Sequence, residues 1–108
     1  MSPSMRPPRP LADQDIEARV RALADWRVEA AHLVREVRFG SFMEGIDFVN
    51  RVAEAAESMD HHPDILISWR RVTLRLTSHD AHGITARDFA LAERIDALIA
   101  SDAGGLAR

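Results

Sequence analysis

The chain has no cysteine, which removes disulfides and thiolate metal sites from consideration. It has no excess of one charge either: 14 Lys and Arg stand against 17 Asp and Glu, a formal net charge of -3. So near-neutral a balance leaves no electrostatic footprint for nucleic acid and no polybasic anchor for a membrane. No apolar run reaches the length of a signal peptide or a transmembrane helix. No internal repeat is present. These absences leave a small protein suited to a reducing, cytoplasmic setting. At 108 residues the chain is too short for two independent cores, yet long enough to bury roughly 65% of its unfolded surface in one.

Compositional bias is confined to the start. Four prolines and two arginines crowd residues 1–10, which predicts a disordered tail ahead of a domain over residues 11–103. Asp13 begins a helix whose Ile16, Val20 and Leu23 share one face. Trp26 to Phe39 changes period: Trp26 and Val28, then Leu33, Val37 and Phe39, alternate as in two short strands joined near Ala30-Ala31-His32. Arg35 interrupts the apolar side of the second. Ser41 and Glu44 form a capping box for a helix that carries Met43, Ile46, Val49, Val52, Ala53, Ala56 and Met59 on a broad apolar arc. Pro63 ends it by removing an amide donor and pushing His62 out of the α region. Ile65 to Thr77 is strand-like, either two strands or one long bent strand. Thr85 and Asp88 make a second capping box, and Phe89, Ala92, Ile95, Leu98 and Ile99 face inward from the last helix, with Gly104-Gly105 as its stop. This order indicates an α+β domain with an antiparallel sheet covered on one face.

Of five histidines, four fall between residues 61 and 82, in two loops that flank the strand-rich segment. If that segment is a hairpin, both loops open at one end of the sheet. Imidazole, with an unperturbed pKa of about 6.5, gives or takes a proton near neutrality. Asp60 and Asp80 stand close enough in sequence to orient such rings. A metal site is the rival reading: His79 and His82 with one of His61 or His62 could supply three nitrogen ligands. Against it, adjacent residues in extended backbone point to opposite sides, and no His-Glu-x-x-His helix motif is present.

Asp60-His61-His62-Pro63-Asp64, Trp69 with Val72, Thr77-Ser78-His79-Asp80, and Gly83-Ile84-Thr85 with Arg87-Asp88 together resemble the pterin-4a-carbinolamine dehydratase signature. The similarity extends upstream through Leu23-Ala24-Asp25-Trp26, Leu33-Val34-Arg35, Phe39 and the helix from Phe42 to Glu57, covering nearly everything from Leu11 to Ile99. His82, where a small residue is commoner, and Ile84, in place of the usual Leu, are small departures. The resemblance implies a four-stranded antiparallel sheet with three helices on one face. It also implies a reaction: a 4a-hydroxytetrahydropterin, left by aromatic amino acid hydroxylases, loses water to give the quinonoid dihydropterin in tetrahydrobiopterin recycling.

One acid and one base suffice for that step, with no metal or other cofactor. The resemblance assigns His61, His62 and His79 to catalysis, with His61 and His79 handling protons and His62 positioning the ring or sharing the acid role. It assigns Asp60, Thr77, Ser78 and Asp80 to substrate binding, where backbone groups pair with the pterin's amide-like edge. Glu57 matches a site-facing carboxylate. Asp88 is a second candidate for facing the site, although the cap to Thr85 is a sufficient and favoured account of it; Arg87, His82 and His32 read as exposed, and Trp26 and Trp69 as packing residues, with Trp69 also a candidate platform for the ring. The expected partners are a pterin substrate and further copies of the chain, as a homodimer or homotetramer. The alternative is a pterin-binding or transcriptional-cofactor module without efficient dehydration.

Overall fold

The structure, a computed structural model, describes residues 9–101. Most of the proline-rich segment, the Gly104-Gly105 stop and the expected domain end at residue 103 lie outside the described residues. In chain order the elements are α1 (Asp13–Leu23), β1 (Arg27–Glu29), β2 (His32–Arg38), α2 (Phe42–Met59), β3 (Asp64–Ser68), β4 (Arg71–Leu76), a single 3₁₀ turn (His79–Ala81) and α3 (Ala86–Ser101). The four strands form one sheet in the order β1-β2-β4-β3, antiparallel throughout. Ile65 to Thr77 is therefore two strands.

Neither hairpin turn contains glycine. Ala30 (φ 47°) and Ala31 (φ 62°) are both left-handed, the backbone twist that a two-residue hairpin requires. Trp69 (φ 53°) does the same between β3 and β4. The pairing register places Leu33, Arg35 and Val37 opposite Leu76, Leu74 and Val72, so these side chains share the inner face. There they meet Phe48, Val52 and Ala55 of α2 and Phe89, Leu91, Ala92 and Ile95 of α3. Each fully buried leucine or phenylalanine of this layer contributes about 1.5–3 kcal/mol. Ile16, Val20 and Leu23 of α1 pack on its edge, half-buried.

Arg35 breaks the apolar pattern because it has partners on the inner face. Its guanidinium pairs with Asp96 of α3 and lies 3.5 Å from Asp25, while Trp26 Nε1 donates to the same Asp96 carboxylate at 2.9 Å. The apolar arc of α2 sits differently from the expected one. Gly45 and Phe48 are buried, whereas Met43 and Ala53 are exposed. The inward face follows Phe48, Val52, Ala55 and Ala56 at helical spacing. Trp69, expected to pack, is 70% exposed at its turn.

Candidate functional site

The two histidine-bearing loops meet at one end of the sheet. Asp64 at the start of β3 lies opposite Arg75 near the end of β4, so the segment before β3 and the segment after β4 emerge side by side. Helix α2 delivers the first. Asp60 takes the left-handed conformation (φ 50°, ψ 42°), its N–H bonds back to the last turn, and the His61 N–H reaches Ala56 O at 3.1 Å. This is the Schellman-type ending, with aspartate, which tolerates left-handed backbone, where glycine is usual. The sharp turn sends His61 inward, 7% exposed, and leaves His62 outside.

His61 Nε2 lies 2.6 Å from Asp88 Oδ1. Asp88 has no exposed surface, and its Oδ2 accepts from Ser78 Oγ at 2.8 Å and from the Thr85 N–H at 2.9 Å. The capping box at α3 is thus real, and the same carboxylate also grips a histidine from 27 residues upstream. A carboxylate can only accept, so His61 places its ring proton on Nε2 and leaves Nδ1 without a partner among the described residues. His62 Nε2 approaches Glu57 Oε1 at 2.6 Å on the surface. The carboxylates that hold the rings are therefore Asp88 and Glu57. Asp60 is exposed, and Asp80 is engaged in a forked pair with Arg87 at 2.8 and 3.0 Å, so Arg87 is tied down as well.

The second loop is closed by a backbone bridge between Ser78 and Gly83. Ser78 is buried, its hydroxyl shared between Asp88 and Thr85 Oγ1. Thr77 Oγ1 donates to Ala31 O at 2.8 Å, docking the loop on the β1–β2 turn. His79 stands exposed at the head of the 3₁₀ turn, next to Ser78. Of the residues expected to bind substrate, Thr77, Ser78 and Asp80 have their side chains committed to internal bonds, and Ser78 has its backbone N–H and C=O taken by Gly83 and Ala81 as well. His61, Asp88 and Ser78 form one hydrogen-bonded chain joining the two loops. A cavity of about 510 Å³ opens at this end between α1 and His82–Ile84, with Leu11, Ile16 and Val28 among its walls; His61, His62 and His79 do not line it. Trp69 lies at the far end of β4, about 20 Å away at the usual strand rise, which removes it as a platform beside His79. No group of three or more histidines and carboxylates among the described residues is arranged to hold a metal ion.

The fold and these loops define a class: a four-stranded antiparallel sheet under three helices, with imidazoles and carboxylates gathered at one end. The chain belongs to the pterin 4 alpha carbinolamine dehydratase family, whose model matches residues 9–98. A Mycobacteroides abscessus protein provisionally named pterin-4-alpha-carbinolamine dehydratase is 52% identical over 89 residues, covering 82% of this chain and 95% of that protein. A Picosynechococcus protein of the same provisional name is 46% identical over 88 residues, covering 82% and 96%. Among solved structures, a transcriptional coactivator/pterin dehydratase from Brucella melitensis superposes with a TM-score of 0.80 at 27% identity, covering 83% of this chain and 98% of the other.

Proposed function

We propose that this protein is a cytoplasmic lyase that dehydrates 4a-hydroxytetrahydropterin to the quinonoid dihydropterin, in support of tetrahydrobiopterin recycling. The observation that carries this reading is the buried His61–Asp88 pair, joined through Ser78 to the turn that presents His79. In the reaction the 4a C–O bond breaks, the hydroxyl takes a proton and leaves as water, and a ring nitrogen of the pterin gives up a proton. His61, with Nε2 fixed by Asp88, works through Nδ1. His79, exposed on the turn that follows Ser78, is the second proton carrier, and His62, held by Glu57, positions the ring or assists the acid. Asp60 and the backbone of Thr77 and Asp80 bind the amide-like edge of the pterin. Ser78 and Asp88 do not touch substrate; they are positioning residues.

The direct test adds purified protein to a carbinolamine generated by a phenylalanine hydroxylase and follows loss of the 4a adduct by absorbance. Accelerated loss that survives exhaustive chelation is the expected result. No acceleration, or activity lost to chelator and restored by zinc, overturns the mechanism. We further infer self-association as a homodimer or homotetramer. Leu66 and Ile67 are exposed on the edge strand β3, and Phe42 and Met43 on α2, and unpaired edges and exposed apolar groups favour association. Light scattering showing a monomer at high micromolar concentration refutes it.

A further inference from the structure

We propose that the end of the sheet opposite the histidine loops binds a small phosphate monoester carrying a flat aromatic body. A cavity of about 470 Å³ lies there, walled by Arg38, Arg70, Arg71, Phe39 and Trp69 among others. Arg38 and Arg71 are directly opposite each other at the last rung of the β2–β4 ladder. Like charges so placed repel. Neither forms an ion pair with a carboxylate among the described residues. Glu44, on the first turn of α2 beside Gly40, does not neutralise them: its Oε1 is buried without a partner. Arg71 Nε is likewise buried and unpartnered, a costly state for a charged donor.

Trp69 adds an independent sign. Its left-handed backbone (φ 53°) is the β3–β4 turn's own requirement and carries no information about a ligand. The indole is nevertheless held out at the cavity, 70% exposed, with the Arg70 guanidinium 4.3 Å from its centroid. Guanidinium forks match phosphate oxygens bidentately, and an exposed indole offers a surface for an aromatic ring. A concave site of this volume suits a small ligand, and the net charge of -3 argues against a long polyanion.

The test follows the arginine Nε–Hε NMR signals of the full chain during titration with inorganic phosphate and with phenyl phosphate. Saturable shifts at Arg71 are expected with both, phenyl phosphate binding about fivefold more tightly. Arg71→Gln should weaken both by about tenfold or more. Trp69→Asn should abolish the preference for phenyl phosphate without lowering Tm, because asparagine accepts left-handed backbone. Shifts that track ionic strength and are matched by chloride overturn the proposal, as does wild-type affinity in Arg71→Gln. Equal affinity for the two probes overturns the aromatic part. Binding to phosphatidic-acid vesicles without binding to either soluble probe would replace the small-ligand site by a membrane surface.

Discussion

Replacing Asp88 by asparagine changes one atom and tests whether this residue is a positioning group or only a helix cap. The carboxylate is fully buried and meets three groups: His61 at Oδ1, and Ser78 Oγ and the Thr85 N–H at Oδ2. An amide has one acceptor oxygen and one donor nitrogen, so it cannot serve both sides. With its NH₂ toward Thr85, the backbone N–H loses its acceptor inside the protein. With its NH₂ toward His61, the ring must accept at Nε2 and move its proton to Nδ1. One buried group is left unmet or one tautomer is reversed, at a cost of about 1–3 kcal/mol. For a domain this size, about 2 kcal/mol lowers Tm by roughly 10 °C. The reversed tautomer also puts a proton on the working nitrogen, so kcat should fall by about 10²-fold or more. KM should change little, since Asp88 does not reach solvent. Thermal denaturation, the 4a-adduct assay and the ¹⁵N shifts of the His61 ring measure the three quantities separately. A variant that loses stability but keeps kcat within about twofold would show that Asp88 only caps α3, and would remove His61 orientation from the mechanism.

Substitution of His61 or His79 by alanine should each lower turnover by about 10² to 10⁴ if both are full acid/base partners; His62→Ala should cost less, because that ring is held on the surface by Glu57, and equal losses at all three would contradict the division of roles. Asp96→Ala leaves the Arg35 guanidinium and Trp26 Nε1 without their shared acceptor and should cost about 2 kcal/mol in urea unfolding with m unchanged, partly recovered when Arg35 is also replaced by methionine; a neutral Asp96→Ala refutes that account of Arg35. The hydrogen bond from Arg27 holds the Glu29 carboxyl below the usual glutamate range, opposed by partial desolvation and aided by the Arg27 and Arg75 charges. A depressed folded value means that its contribution is present above the unfolded pKa and is lost as pH falls through the folded one. NMR titration should therefore find a Glu29 midpoint below about 4.3, moving back upward in high salt because the pair is exposed; an ordinary, salt-insensitive midpoint refutes it.

Short-range chemistry was legible in the sequence wherever the partners sit within one turn. Ser41 and Glu44 announce the start of α2, and the structure shows the Glu44 N–H donating to Ser41 Oγ at 3.2 Å. The strand periods of Leu33 to Phe39 and Val72 to Leu76 emerged as strands of the same sheet. The β3–β4 turn could not be read, because Ser68-Trp69-Arg70-Arg71 holds none of the residues that usually accept left-handed backbone. Arg35 looked like a flaw in its strand because Asp96, its partner, is 61 residues away.

Asp88 does more in the fold than its place in the sequence requires. Its spacing from Thr85 accounts fully for an aspartate there, so spacing alone offers no reason to look further. A carboxylate, however, has two oxygens and about four acceptor sites, and a cap uses one of them. An Asp88 that is buried outright therefore calls for further donors, and the fold supplies two, from the residues after α2 and after β4. Burial is what turns a local cap into a junction between loops, and burial is decided by the sheet register and the packing of α3 against α2. The motif makes the histidines recognisable, but it takes the tertiary structure to show that one of them is held by the same carboxylate that starts the last helix.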